Sequence, residues 1–355
     1  MNFHGGDIYK YSGEILDFSS NINPFGVPDS FRRLLAERLG DFTRYPDISY
    51  REVREKIAGY IGIRDIEGII PGNGAVELIY KLAASCGMKR VAGLRPTFSE
   101  YARAAEIAGL EYYDIPAFKE DYSAIAVEML TKNIRPHSLV IICNPNNPTG
   151  TFIKTEAMGH LAEVLQAMDC RLVIDEAFIE FTDDYPDNSM VSKIGKLKNV
   201  TVIRAATKFF GMPGIRLGYA VTADMWTAGA VRELMEPWNL NTAAVIAACS
   251  VFDDRDYIER SRAWISSERE YLFKGLRSFD GLLVYPSAAN FHLLQLTGGK
   301  MTASRLKGAM ADLGVLIRTA EGFNGLNQFH FRLAVKDRRS NDKLLESLGE
   351  ALKAY

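Results

Sequence analysis

The segment Thr207-Lys208-Phe209-Phe210-Gly211-Met212-Pro213-Gly214-Ile215-Arg216-Leu217-Gly218-Tyr219 places an amine and a guanidinium eight residues apart, around a turn that contains glycine and proline. A lysine amine can condense with a carbonyl to form an imine, and an arginine presents a fork of donors that fits a phosphate. Lys208 and Arg216 are therefore candidates for a site that binds a phosphorylated carbonyl compound. On local sequence alone, a basic surface loop is the alternative.

Short apolar strands and helices alternate before this segment. Runs of aliphatic residues at 139–143, 172–175 and 200–204 are typical of strands that are buried on both faces of a parallel sheet. Apolar residues at helical spacing in 75–86 and 155–168 predict helices beside these strands. The alternation predicts the α/β class with a mostly parallel central sheet and right-handed crossovers.

The length of 355 residues favours a large domain followed by a smaller one. Residues 1–30, rich in Gly, Asn and Pro, are predicted to form an N-terminal arm. Residues 31–240 would form the large domain that contains the sheet. Residues 241–355 would form a small α+β C-terminal domain, since a long charged helical region at 257–277 precedes further strands and a closing helix.

The charge balance and the cysteine spacing argue against several kinds of binding partner and site. The chain has 42 basic and 44 acidic residues and a net charge of -2, so nucleic acid and membrane surfaces are not expected partners. No Cys-x-x-Cys spacing occurs, which argues against a disulfide framework and against a metal site. Together with the lack of an export signal near the first residue, this predicts a cytoplasmic location. The four cysteines are Cys86, Cys143, Cys170 and Cys249.

Polar groups follow the predicted strands where each strand ends. The loop NPNNPTG at 144–150, the carboxylate of Asp175 and the amine of Lys208 come after three different strands. Ligands of open parallel sheets bind at this edge, so we expect the three to lie together. The turn GNGAVE at 72–77 opens a helix and offers backbone N–H groups to a phosphate. A nicotinamide site is disfavoured, because Glu77 occupies the third glycine position of that fingerprint.

The motifs GNGAVE, NPNNPTG, DEAF and TKFFGMPGIRLGY, in this order, resemble those of the pyridoxal-phosphate-dependent aminotransferases of fold type I, in the branch of histidinol-phosphate aminotransferase. The resemblance implies a fold type I structure, pyridoxal 5′-phosphate as cofactor and a homodimer with shared active sites. It also implies that Lys208 forms the imine with the cofactor and that Asp175 pairs with the protonated pyridine nitrogen.

Further cofactor contacts are implied by the same resemblance. Asn147 would donate to the phenolic oxygen and Phe98 would stack on the ring. The cofactor phosphate would lie among Gly74, Ala75, Thr207 and Arg216, and Tyr45 would reach the phosphate in the neighbouring subunit.

Within this branch the chain looks most like the L-threonine-O-3-phosphate decarboxylases of cobalamin biosynthesis. The stretches HGGDIY (4–9), LDFSSNINPFGVP (16–28) and PTFSEY (96–101) resemble that group. Phe178 stands where the aminotransferases have tyrosine. Two departures from the pattern are Ala205, which removes a hydroxyl from the phosphate site, and the sequence Thr319-Ala320-Glu321.

The resemblance implies a small phosphorylated amino acid as substrate. Arg332 would bind its carboxylate, Arg318 with His4 would bind its phosphate, and Asn23 is a further candidate. Two alternatives are transamination of the histidinol-phosphate type with 2-oxoglutarate, and a cofactor-binding protein without turnover. The cofactor residues serve decarboxylation and transamination equally well, because the outcome depends on which bond at the α-carbon lies perpendicular to the ring.

Overall fold

The computed structural model describes residues 5–11 and 13–353. Its centre is a seven-stranded sheet in the order β2-β8-β7-β6-β5-β3-β4, in which only β8 runs against its neighbours. The predicted α/β class and mostly parallel sheet are confirmed. The strands are β1 (Leu16–Asp17), β2 (Ile69–Asn73), β3 (Arg90–Leu94), β4 (Glu111–Ile115), β5 (Ser138–Cys143), β6 (Arg171–Asp175), β7 (Val200–Ala205), β8 (Leu217–Thr222), β9 (Leu282–Val284), β10 (Phe291–Leu296), β11 (Val315–Leu316), β12 (Arg318–Thr319) and β13 (His330–Ala334).

Helices cover the sheet and build most of the C-terminal part. They are α1 (Asp29–Glu37), α2 (Arg51–Ile61), α3 (Gly74–Ser85), α4 (Glu100–Ile107), α5 (Val127–Asn133), α6 (Thr155–Ala167), α7 (Ala206–Phe209), α8 (Met225–Glu233), α9 (Thr242–Val251), α10 (Arg255–Arg277), α11 (Ala303–Asp312) and α12 (Arg338–Lys353). Short 3-10 segments lie at Ile8–Lys10, Leu39–Thr43, Ile179–Phe181 and Met190–Lys196. In the described ranges no helix has the length and apolar character needed to cross a bilayer.

The longest helix, α10, shows how local sequence sets an element. The side chain of Asp254 accepts a hydrogen bond from the Tyr257 N–H (3.1 Å) and so caps its first turn. Lys274 and Arg277 lie in its last turn, where positive charge is favourable. The predicted helical region at 257–277 is therefore confirmed, with its start two residues earlier.

A second sheet, in the order β12-β13-β10-β9, is antiparallel and forms the centre of the C-terminal part. The N-terminal arm joins this part rather than the large sheet, because β1 pairs in parallel with β11. We propose that the large domain ends at residue 240 and the small domain begins at residue 241. All strands of the large sheet lie before this boundary, and all four strands of the small sheet lie after it.

A buried ion network lies behind the strands that carry the predicted site. Arg204, at 1% exposure, is bonded to Glu176 (Nε to Oε2, 3.0 Å) and lies 3.7 Å from Glu180 Oε1. Both carboxylates are buried. Two carboxylates share one guanidinium, and burial raises the pKa of Glu180 to about 7, although Arg204 opposes the rise.

We expect Glu180→Gln to flatten the pH dependence of stability. Glu180 takes up a proton more readily in the folded chain than in the unfolded one. Its contribution is therefore present at low pH and is lost as the pH rises through about 7. Between about pH 5 and about pH 8, the stability of wild type relative to the variant should fall by up to about 3 kcal/mol. Urea unfolding of wild type and variant at the two pH values measures this difference in free energy of unfolding. A difference that is the same at both pH values would contradict the prediction.

Candidate active site

A cavity of about 190 Å³ lies at the carboxyl ends of the parallel strands, where the large sheet meets the arm and the small sheet. Strands β5, β6 and β7 are in register, so Cys143 pairs with Asp175 and Asp175 with Ile203. The ends of these strands therefore open into one space, as the sequence predicts. The lining residues are Gly5, Ser19, Ser20, Asn21, Ala75, Val76, Ile79, Phe98, Cys143, Asn147, Asp175, Ala177, Phe178, Ala205, Thr207, Lys208, Arg216, Arg318 and Arg332.

Lys208 lies on the short helix α7, directly after β7, and its side chain lines the cavity. Burial, together with the positive charges of Arg332 and Arg216, lowers the pKa of its ammonium to about 8. Its carbonyl accepts a hydrogen bond from the Asn23 N–H at 3.1 Å, so the arm holds this turn. Near neutral pH a larger fraction of this amine than of an ordinary lysine is unprotonated and able to attack a carbonyl.

Asp175 ends β6 on the floor of the cavity and is 4% exposed. Its carboxylate accepts from the Tyr101 hydroxyl (2.8 Å) and from the Ala177 N–H (3.0 Å). Burial raises the pKa of this carboxyl, whereas the two hydrogen bonds act against the rise. A cationic partner in the cavity would stabilise the ionised form.

A phosphate cradle lies where α3 begins. Gly74 has a φ of +77°, and a Cβ built there would lie 2.5 Å from Arg216 Nη2. A side chain at Gly74 would therefore displace the guanidinium. Gly218 lets β8 approach the same turn, since its Cβ would lie 2.6 Å from the Ala75 N atom. Backbone N–H groups, Thr207 and Arg216 together provide donors for a dianion.

Two arginines of the small sheet line another part of the cavity. Arg318 and Arg332 face each other in register between β12 and β13. Arg332 is 4% exposed, donates through Nη1 to Asn147 Oδ1 and through Nη2 to the Ser19 carbonyl (3.0 Å). Its Nε is buried without a hydrogen-bond partner in the described part of the chain. An arginine fixed in this way can still donate to a ligand anion.

Three of the predicted site residues that the structure describes do not line the cavity: Gly74, which adjoins the lining residue Ala75, Asn23 and Tyr45. Asn23 is buried, and its side-chain amide donates to the Phe209 carbonyl (2.8 Å) and Ser261 Oγ (2.7 Å). Asn23 is therefore bonded to the segment that carries Lys208, and its contact with a substrate stays a prediction. Tyr45 is 75% exposed and stacks on Trp238, outside the cavity. His4 lies outside the described residues, but its neighbour Gly5 lines the cavity.

The sequence reasoning missed several cavity residues on the arm and Tyr101. Asn21 is 2% exposed and lines the cavity, and its Oδ1 has no hydrogen-bond partner among residues 5–11 and 13–353. The signal for Asn21 in the sequence was its position in the stretch 16–28, two residues before Asn23. Tyr101 sits one helical turn from Phe98 and contacts it edge-on at 5.6 Å.

The sequence profile of the family Aminotransferase class I and II matches residues 13–348. The chain belongs to this family. The cofactor of the family is pyridoxal 5′-phosphate. The described cavity fits it, because an amine, a carboxylate held by two donors and a cradle that excludes a Cβ at Gly74 surround one space. In the described ranges no cluster of three or more His, Cys, Asp or Glu is arranged to hold a metal.

The chain is similar to both kinds of enzyme considered above. A Caldanaerobacter subterraneus protein with the provisional name threonine-phosphate decarboxylase is 40% identical over 97% of this chain and 92% of that protein. The threonine-phosphate decarboxylase of Salmonella typhimurium is 29% identical over 98% and 96%. The crystal structure of the histidinol-phosphate aminotransferase from Clostridium acetobutylicum superposes with a TM-score of 0.90, at 34% identity over 96% of this chain and 100% of that one.

Proposed function

We propose that this protein is a pyridoxal-phosphate-dependent carboxy-lyase that converts L-threonine O-3-phosphate to (R)-1-aminopropan-2-ol O-phosphate and CO2, for cobalamin assembly. The observation that carries the proposal is the pair Arg318 and Arg332 in the same cavity as Lys208, since the substrate bears a carboxylate and a phosphate. Similarity to the Caldanaerobacter protein over almost the whole chain supports the same substrate. A cytoplasmic location remains a prediction.

The proposed cofactor residues divide between anchoring and charge balance. When bound, the cofactor supplies a ring that accepts the electron pair released at the substrate α-carbon. Lys208 would hold the cofactor through its amine until the substrate amine takes its place. Asp175 would hold a proton on the ring nitrogen, Asn147 would bind the phenolic oxygen and Phe98 would contact the ring. Gly74, Ala75, Thr207 and Arg216 would hold the phosphate.

The substrate would be bound by the two arginines, and the lysine released from the cofactor would transfer a proton. Arg332 and Arg318 bind the two anionic groups and so fix the orientation of the α-carbon. The bond from the α-carbon to the carboxylate breaks and CO2 leaves. Lys208 would then donate a proton to the α-carbon and would hold the cofactor again once the product amine has left.

Two parallel assays test this function. Purified holoenzyme is incubated with L-threonine O-3-phosphate, with CO2 as the readout, and with histidinol phosphate plus 2-oxoglutarate, with glutamate as the readout. We expect CO2 without glutamate. Glutamate without CO2 would establish the aminotransferase alternative, which the Clostridium acetobutylicum structure favours. If neither CO2 nor glutamate forms, both activities on these substrates are refuted.

We also propose a homodimer in which Tyr45 completes the phosphate site of the partner. Tyr45 lies on a surface where Leu39, Phe42 and Ile48 are also more than half exposed. Apolar side chains grouped in this way mark a protein interface. Tyr45 stacks on Trp238, with ring centroids 4.3 Å apart, and does not line the cavity of its own chain.

Co-expression of two variants with complementary defects tests this arrangement. We expect Tyr45→Ala to lower kcat/KM by about tenfold, since one phosphate donor is lost. After co-expression with Lys208→Ala, each mixed dimer has one intact site, so activity should rise to about a quarter of wild type. Light scattering should give twice the chain mass. Tyr9→Ala, at an exposed arm position, is the control. Mixtures that stay at the level of Tyr45→Ala alone would refute the shared site.

A further inference from the structure

The arm lies between two strands of the C-terminal part before it enters the cavity. The Phe18 N–H donates to the Leu316 carbonyl (2.8 Å), and the Phe18 carbonyl accepts from the Ala334 N–H (2.9 Å). Phe18 is completely buried. Because its backbone is bonded on both sides, the direction in which the chain leaves Phe18 depends on the residues next to it.

Asp17 controls that direction. One carboxylate oxygen accepts from the Ser19 N–H (2.8 Å) and the Ser19 hydroxyl (2.5 Å), and the other accepts from the Ser20 hydroxyl. A carboxylate bonded to its own chain two residues later forms a tight turn. The turn places Ser19, Ser20 and Asn21 on the cavity lining, although Asp17 itself does not line it.

The turn also reaches the substrate arginine. The Ser19 carbonyl accepts from Arg332 Nη2 at 3.0 Å, so the chain Asp17, Ser19, Arg332 is continuous. Burial lowers the pKa of the Arg332 guanidinium, and the negative charge of Asp17 acts against this effect. Asp17 thus orients Arg332 through Ser19 and favours its charged form.

We propose that Asp17 is a positioning residue that sets the affinity of the arginine end of the cavity for a phosphate dianion. This inference rests on the proposed function, because it assumes that Arg318 and Arg332 bind a phosphorylated substrate. Asp17 touches neither substrate nor cofactor and acts through the turn and through Arg332. It thereby makes the arm a determinant of the affinity for anionic substrates.

The direction in which anion affinity changes when Asp17 is replaced distinguishes a positioning role from a purely electrostatic one. If Asp17 acted only as a negative charge near the cavity, its removal would reduce repulsion and tighten anion binding. If it acts by ordering the turn, its removal releases Ser19 and Arg332 and weakens anion binding. Weaker binding in an uncharged variant is therefore the signature of positioning.

The test uses holoenzyme and inorganic phosphate as the probe. For Asp17→Asn we expect the Kd of phosphate, measured by calorimetry, and the KM for L-threonine O-3-phosphate to rise by about tenfold. The kcat value should stay within about twofold, and the visible absorbance of the bound cofactor should not change. Asp7→Asn is the matched control, since this arm carboxylate pairs with Lys10 at the surface and should behave as wild type.

A second variant guards against misfolding. Ser19→Ala removes the hydroxyl link to Asp17 but keeps the backbone carbonyl that faces Arg332, so a smaller change in the same direction is expected. Unchanged or tighter phosphate binding in Asp17→Asn would overturn the proposal, and so would a fall in kcat with KM unchanged. Wild type that binds phosphate but releases no CO2 would refute the proposed reaction, while the phosphate affinities would still decide the role of Asp17.

Discussion

Lys208→Ala is expected to abolish CO2 release and the visible absorbance of the bound cofactor. Without this amine no covalent link to the cofactor can form, and no described side chain of the lining offers another amine. The lowered pKa of Lys208, about 8, is the property that favours attack on a carbonyl near neutral pH. A loss of at least about 1,000-fold in kcat is expected for removal of a covalent group that also transfers a proton.

The matched control is Lys198→Ala, at an exposed position before β7. It should keep both the absorbance and the activity. Circular dichroism of Lys208→Ala should match wild type, because the lysine makes no side-chain hydrogen bond or ion pair on which the turn depends in the described ranges. A folded Lys208→Ala protein that kept the absorbance would refute the role of Lys208 as the anchoring residue.

The sheet and its ligand edge could be predicted because their signals are local. Strands buried on both faces need continuous apolar runs, and those at 139–143, 172–175 and 200–204 fall within β5, β6 and β7. Parallel strands end at one edge, so Asp175 and Lys208 had to lie near each other. The reversed direction of β8 carries no comparable signal in its own sequence.

The arm could not be predicted in the same detail. Asn21 and Asn23 are two residues apart in a polar stretch, yet one lines the cavity and the other is bonded to Phe209 and Ser261. Which side chain faces the cavity depends on the backbone bonds of Phe18 to two distant strands. These are long-range contacts, and no periodicity in residues 16–28 encodes them. The pairing of Arg318 with Arg332 is equally nonlocal.

Asp175→Asn is the second variant with a large expected effect, and it separates charge from shape. The amide has nearly the same volume as the carboxylate, so the cavity should keep its form. It carries no charge, however, and cannot hold a proton on the cofactor nitrogen, so the ring would accept electrons poorly. We expect kcat to fall by about 100-fold or more, with the covalent link to Lys208 retained.

The surroundings of Asp175 strengthen this expectation. Tyr101 and the Ala177 N–H both donate to the carboxylate, one to each oxygen. An asparagine has only one acceptor oxygen, so one of these donors would face an NH2 group and lose its bond, at a cost of about 1–3 kcal/mol. Asp280→Asn, at an exposed position, is the control. Because the anchoring lysine is untouched, an Asp175→Asn enzyme with normal absorbance and near-normal kcat would refute the assignment of Asp175 to the ring nitrogen. A large fall in kcat with normal absorbance would show that Asp175 acts through its charge and not through the volume it fills.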